Sequence, residues 1–249
     1  MLLALPLNRR LALATLDLYQ PQRGKGRLFR RVLRACVMLG VYRLLPRFEL
    51  TLGDRGVFSE LDHDALSNGF GFLLGNAASP MRNLIGLYES DGALRVVKVG
   101  CGDAAQVVRD ECASIRNFSR LVDGVPECQG LFDIENGAAY VAELVSGRSP
   151  RGAGDDTLVF ALLEKWLQAG RSKVVSGLDC WKALDAKLSD DARQRFAVLA
   201  REKVTSPVIH GDFAPWNIKI SAAGEVKVLD WEFARQAGMP GWDWVYYQV

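Results

Sequence analysis

A carboxylate at Asp212, a carboxamide five residues on at Asn217 and a second carboxylate 13 residues further at Asp230 share the stretch VIHGDFAPWNIKISAAGEVKVLDWE, residues 208–232. Short apolar runs separate them and predict strands. Val208 and Ile209 lead into a His210-Gly211-Asp212 turn, and Asn217 opens a second strand over 218–220. Ala222-Ala223-Gly224 turns the chain into a third, over 226–229, which delivers Asp230 at its end. Polar groups held at loop–strand junctions can converge on one point. Their types suit phosphoryl transfer, which needs an acceptor for the attacking hydroxyl's proton and oxygen ligands for magnesium beside the ATP phosphates. Asp212 suits the first task. Asn217 and Asp230 suit the second, as a neutral and an anionic oxygen donor. Any one of these residues alone would be an ordinary turn residue; the spacing of the set is what argues for chemistry.

HGDFAPWN at 210–217 resembles the His-Gly-Asp-x-x-x-x-Asn catalytic loop of the aminoglycoside phosphotransferase and choline kinase-like family, small-molecule relatives of the protein kinases. VLDWE at 228–232 resembles that family's metal-binding segment. A protein kinase would carry Arg after the His and Phe-Gly after the second Asp; Gly211 and Trp231-Glu232 stand there instead, which favours the small-molecule branch. The resemblance spans residues 68–244. It implies an α+β, bilobal, protein-kinase-like fold with a small antiparallel-sheet N-lobe at 68–145 and a mainly helical C-lobe at 146–249, and a catalytic set of Asp212, Asn217 and His210. His210 is read as bracing the loop, since Asp212 already holds the role of base. Gly238 to Trp244 resembles the family's Gly-x-Pro-x-x-Asp segment, with Asp243 as structural anchor. Further helices that help build the acceptor site usually follow it in family members, so the C-lobe is expected to lack them here.

These residues need a second lobe to hold the nucleotide. Strands over 70–74, 84–89 and 94–99, joined by turns that include Asp91-Gly92, read as the beginning of an antiparallel sheet. The loop Gly75–Asn83 falls where a phosphate-covering loop belongs, with Ser79 and backbone N–H groups facing the phosphates. Lys98 sits inside the apolar run Arg95–Gly100, where a buried cation requires a partner. The helix expected over 103–121 places Glu111 within or beside its inward stripe of Val108, Cys112, Ile115 and Phe118. A Lys98–Glu111 pair with Lys98 reaching the α- and β-phosphates is the kinase-like arrangement, with Asp110 and Glu135 as alternatives by position. A hairpin around Glu135-Asn136-Gly137 leads to Tyr140–Gly147, which resembles the lobe connector and implies adenine contacts with the backbone from Glu143 to Val145.

The C-lobe reads as three helices. The first is capped by Asp155 or Asp156 and buries Val159, Leu162, Leu163, Trp166 and Leu167; the others cover 178–188 and 189 to about 203. Asp179, Asp185, Asp190 and Asp191 could meet a cationic substrate, but fit caps and solvated faces better.

Composition excludes several classes. At 249 residues and 49% hydrophobic, the chain can bury a sizeable core. Its five cysteines form no C-x-x-C pair and read as reduced thiols of a cytoplasmic protein. Residues 1–18 are too charged for a membrane span or signal peptide. The net charge of +2 conceals a basic N-terminus: residues 1–50 hold ten Lys and Arg against Asp17 and Glu49, which leaves 21 basic and 27 acidic residues in the rest. Residues 1–67 thus read as a basic extension. Its helix over 27–45 carries Arg27, Arg30, Arg31 and Arg34 on one face and Phe29, Leu33, Cys36, Gly40 and Leu44 on another. That pattern suits packing on the body, or peripheral contact with an anionic membrane or a partner protein; nucleic acid is disfavoured, because no aromatic residues interleave the arginines. His63 reads as a surface residue. The resulting expectation is an ATP- and Mg2+-dependent phosphotransferase acting on a hydroxyl of a small sugar, amino sugar or amino alcohol. The alternative is a kinase-fold binding or regulatory protein tethered by its basic helix.

Overall fold

A computed structural model describes residues 2–19, 24–44, 46, 69–74 and 83–248. The chain divides into two compact units: residues 1–112 with 128–144, and residues 113–127 with 145–249. Ser79, its loop and His63 lie outside the described residues.

The first unit is built on a six-stranded antiparallel sheet in the order β1-β2-β3-β4-β6-β5. Its strands are β1 (Leu2–Ala4), β2 (Gly71–Leu74), β3 (Asn83–Ser90), β4 (Ala93–Cys101), β5 (Cys128–Ile134) and β6 (Gly137–Glu143). Two tight turns organise it, one at Asp91-Gly92 and one at Asn136-Gly137, with Asp91 and Asn136 at positive φ as such hairpins require. Tyr88, Val97, Ala139 and Val141 form its apolar core. Helix α3 (Ala104–Phe118) follows β4 at close range: a Cβ on Gly100 would lie 2.3 Å from the Ala104 carbonyl oxygen.

The N-terminal segment, expected to stand ahead of this sheet, is partly built into it. β1 pairs with β2 through Leu3↔Leu73, and Arg10 of α1 (Arg9–Leu18) bonds Glu89 of β3 at 2.7 Å. Helix α2 (Gly24–Met38) ends earlier than expected and passes into a 3-10 turn at Val41–Leu44. Its packing face also differs. Val37 is buried with Ala12, Leu16 and Tyr42, and Leu33 and Cys36 lie against them, whereas Phe29 and Leu44 are exposed. Arg30 and Arg34 turn back onto Asp17 of α1 at 3.3 and 2.8 Å, which takes two of the four arginines out of the expected solvated basic face.

The second unit is mainly helical. It contains α4 (Ala153–Gln168), α5 (Asp179–Asp185), α6 (Asp190–Arg201) and α7 (Trp242–Gln248), with two small two-stranded antiparallel sheets, β7 (Arg171–Val174) with β8 (Lys203–Ser206) and β9 (Ile218–Ile220) with β10 (Val226–Val228). Val159, Leu162, Leu163 and Trp166 are buried along α4, as their spacing requires. The α4 cap differs from expectation: Gly152 begins the helix without a side-chain cap, because Asp155 is engaged by the Arg148 guanidinium and the Arg151 N–H. Asp179, Asp185, Asp190 and Asp191 pair with Lys182, Arg193 and Arg195. Among the described residues no helix is long and apolar enough to cross a membrane.

Candidate active site

In the first unit, β4 runs between β3 and β6, so that Lys98 faces Ile85 on one side and Tyr140 on the other. An ammonium at this central position is expensive to bury alone. Its Nζ donates to Glu111 Oε2 at 2.5 Å, and Glu111 is itself buried on α3. The alternatives left open by spacing are thereby separated: Asp110 is exposed and accepts from Gln106, and Glu135 is exposed in the hairpin turn. Glu143 closes β6, with Arg95 of β4 as its Cα partner. Val145, where the chain re-enters the second unit, is half-buried.

In the second unit, Val208 and Ile209 form no extended strand; Ile209 makes a single bridge with Arg235. The turn that follows is held from outside. Asp243, buried at the start of α7, accepts from the N–H groups of His210 at 2.7 Å and Gly211 at 3.1 Å. Burial outweighs those two bonds and pushes the Asp243 carboxyl up to about 6. Gly211 sits at φ +86, where a Cβ would lie 2.6 Å from the Phe233 carbonyl oxygen, so neither the conformation nor the space admits a side chain. This excludes the Arg that a protein kinase would place there.

His210 is fully buried, and its ring lies edge-on to Trp231, centroids 5.0 Å apart. Its Nε2 donates to the Leu229 carbonyl at 2.8 Å, while Nδ1 accepts from the Asp212 N–H at 3.3 Å. Burial lowers its pKa, against the bond to Leu229 and the nearby charges of Asp230 and Asp212. The neutral ring therefore ties the turn carrying Asp212 to the residue before Asp230. A second tie runs alongside it, since the Leu229 N–H donates to the Asn217 carbonyl at 2.7 Å.

Asn217 ends the 3-10 turn Pro215–Asn217 and is buried. Its carboxamide nitrogen donates to the Asp212 carbonyl at 3.0 Å and to Asp212 Oδ2 at 2.9 Å. Asp230 adopts the left-handed conformation, φ 68 and ψ 65, not the extended end of a strand; of the non-glycine residues, Asp and Asn tolerate it best. Trp231 packs beneath, against Phe118 and Trp166, with its indole N–H on the Val228 carbonyl at 2.7 Å.

One participant was not found from the sequence. Tyr246 lies close enough to Asp212 for the carboxylate to raise the phenol's pKa. The signal available was positional: Tyr246 is three residues past Asp243, on the same face of α7.

No protein-family model matches the chain, and no match is found among curated proteins. Solved structures to which it is similar include a spectinomycin phosphotransferase in complex with ADP and spectinomycin, at 10% identity and TM-score 0.44 over 68% of this chain. The chain spans 65% of that protein's length. Others are a macrolide 2'-phosphotransferase from Brachybacterium faecium, at 17% identity and TM-score 0.47 over 76% of this chain and 72% of that one, and a protein from Haemophilus somnus 129PT described as a putative fructosamine-3-kinase, at 12% identity and TM-score 0.42 over 64% and 66%.

Proposed function

We propose that this chain transfers the γ-phosphoryl group of ATP to a hydroxyl group of a small molecule. The observation that carries the proposal is the Asp212–Asn217 contact. An amide nitrogen turned onto Asp212 fixes one carboxylate oxygen and directs the amide's own oxygen the other way, which separates a proton acceptor from a metal donor within five residues.

The acceptor oxygen attacks the γ-phosphorus. The bond from that phosphorus to the β–γ bridging oxygen breaks, and ADP leaves with its electron pair. The hydroxyl proton passes to Asp212. Lys98, oriented by Glu111, holds the α- and β-phosphates, and backbone groups from Glu143 to Val145 receive the adenine. Among the described residues no cluster of three or more His, Cys, Asp or Glu stands ready to hold a metal. The donor set of Asn217 and Asp230 nonetheless fits magnesium, which takes one or two protein oxygens and completes its shell with phosphate and water. When bound, that ion neutralises charge on the phosphate oxygens.

The test is nucleotide binding. Mg-ATP should raise the thermal midpoint of the purified protein, and Asp230→Ala should diminish the rise; no binding of nucleotide at any concentration refutes the proposal.

A peripheral role for α2 also follows from its surface. Leu28, Phe29 and Val32 are exposed beside Arg27 and Arg31, and an apolar strip with a basic flank suits an anionic lipid surface.

A further inference from the structure

The second unit carries an open groove of about 870 Å³ whose walls are the 214–216 loop, residues 239–241 and α7, a volume in the range of small-molecule sites. Trp216, Trp242, Tyr246, Pro240, Met239 and Val245 contribute most of its character, and none of its lining residues is charged. Two of its lining residues border the candidate chemistry: Trp216 immediately precedes Asn217, and Tyr246 lies near enough to Asp212 for the carboxylate to raise its pKa.

We infer that this groove takes the acceptor, and that the acceptor is an uncharged alcohol whose hydroxyl is carried on a flat, largely apolar body such as a neutral glycoside ring. This rests on the phosphotransferase reading and narrows its substrate class. A polycationic acceptor needs carboxylates to replace its hydration. The groove has none, and Asp179, Asp185, Asp190 and Asp191 are paired with the unit's own Lys and Arg residues. Two indoles and a phenol instead offer faces on which a ring can stack. A body resting on Trp216 and Trp242 would present its hydroxyl toward Tyr246 and Asp212. Tyr246 is then a positioning residue: its phenol lies beside the carboxylate that must receive the acceptor's proton.

The experiment measures binding without nucleotide, so that it stands apart from any failure of ATP binding. Phenyl β-D-glucoside, kanamycin and choline are titrated against the full chain, followed by tryptophan fluorescence and saturation-transfer NMR. Phenyl glucoside is expected to bind saturably and in preference to both cations. Trp242→Ala and Trp216→Ala should each weaken it by about tenfold. Both side chains are nearly half exposed, at 48% and 46%, so the variants should keep their thermal midpoints. With Mg-ATP present, Tyr246→Phe should lower kcat toward phenyl glucoside while leaving KM for ATP unchanged. Tighter binding of kanamycin, tighter binding of choline, no saturable binding of phenyl glucoside, or affinity indifferent to both tryptophan substitutions would each overturn the inference. Loss of ATP binding with intact glucoside binding would overturn only the phosphotransferase reading.

Discussion

The Asn217 carboxamide nitrogen stands 2.9 Å from Asp212 Oδ2 and 3.0 Å from the Asp212 carbonyl oxygen. Both neighbours are acceptors, so only the nitrogen can face them, and the orientation of the amide follows without choice. In the proposed function, that one side chain would set the base and offer the metal an oxygen.

That geometry predicts a split between two variants. Asp212→Asn removes the proton acceptor but keeps a polar group of the same shape, so turnover should fall by about 10²- to 10⁴-fold, with Mg-ATP affinity nearly unchanged. Asn217→Ala removes the oxygen donor and the brace together, and should raise the magnesium concentration needed for half-maximal activity by about tenfold or more. Steady-state assays across magnesium concentrations, paired with calorimetric nucleotide binding, check both. Unchanged turnover in Asp212→Asn would remove it as the base.

The Lys98–Glu111 pair predicts a dissociation of stability from activity. Lys98→Met leaves a carboxylate that is nearly inaccessible, 3% exposed, facing an apolar side chain, and should cost about 3 kcal/mol. Adding Glu111→Gln neutralises that carboxylate and should recover much of the loss in urea unfolding. Nucleotide affinity should stay low in both variants, because neither restores a cation for the phosphates. Recovery of ATP affinity in the double variant would show that Lys98 acts only through stability.

Gly211 predicts a backbone effect. Gly211→Ala places a Cβ against the Phe233 carbonyl at a φ of +86, and should destabilise by about 1–3 kcal/mol while displacing the turn between His210 and Asp212. Denaturant unfolding and turnover should fall together; a fully active, equally stable variant would refute this role.

What the sequence made legible was local or strongly patterned. Lys98 announced itself because a lysine in an apolar strand must be paired, and Glu111 followed from helical spacing on α3, though only the fold separated it from Asp110 and Glu135. The pieces that stayed hidden depend on distant partners. β1 is a strand because β2, some 70 residues on, pairs with it. β7 is exposed throughout, and β8 has Val204 as its one apolar residue, too little for a period-2 pattern to mark a strand. Asp155 carries the local look of a helix cap and is instead held by Arg148. Tyr246 acquires a meaning only when α7 folds back on the 210–217 loop, which Asp243 brings about.

The α2 surface predicts lipid binding that depends on its composition. The chain should co-sediment with vesicles containing phosphatidylserine and not with purely zwitterionic ones, and Arg27→Gln with Arg31→Gln should weaken the association; each basic residue near such a surface contributes about 1 kcal/mol. Arg30 and Arg34 are committed to Asp17, so neutralising those two should instead loosen α2 from α1. A wild-type chain that ignores anionic vesicles refutes the lipid reading.

Asp243 and His210 predict opposite dependences on pH although they are adjacent in the fold. Asp243 is pushed up from 3.8 to about 6, so its folded form binds a proton that the unfolded chain does not take until more acidic pH. The cost of its buried charge is fully present above pH 6 and is relieved as pH falls toward 4. His210 is lowered from 6.5 by burial, so the unfolded chain gains a proton first, and stability is lost as pH falls below 6.5. Removing one group exposes the other. Asp243→Asn loses the acceptor for one of the two N–H groups it holds and should cost about 1–3 kcal/mol, and the cost should be about 1 kcal/mol larger at pH 5 than at pH 7.5. His210→Asn should show the reverse, costing less at pH 5 than at pH 7.5. Urea unfolding of both variants and the wild type at the two pH values measures the signs directly. An Asp243→Asn cost that shrinks on acidification would mean that the two N–H bonds, and not burial, govern this carboxyl.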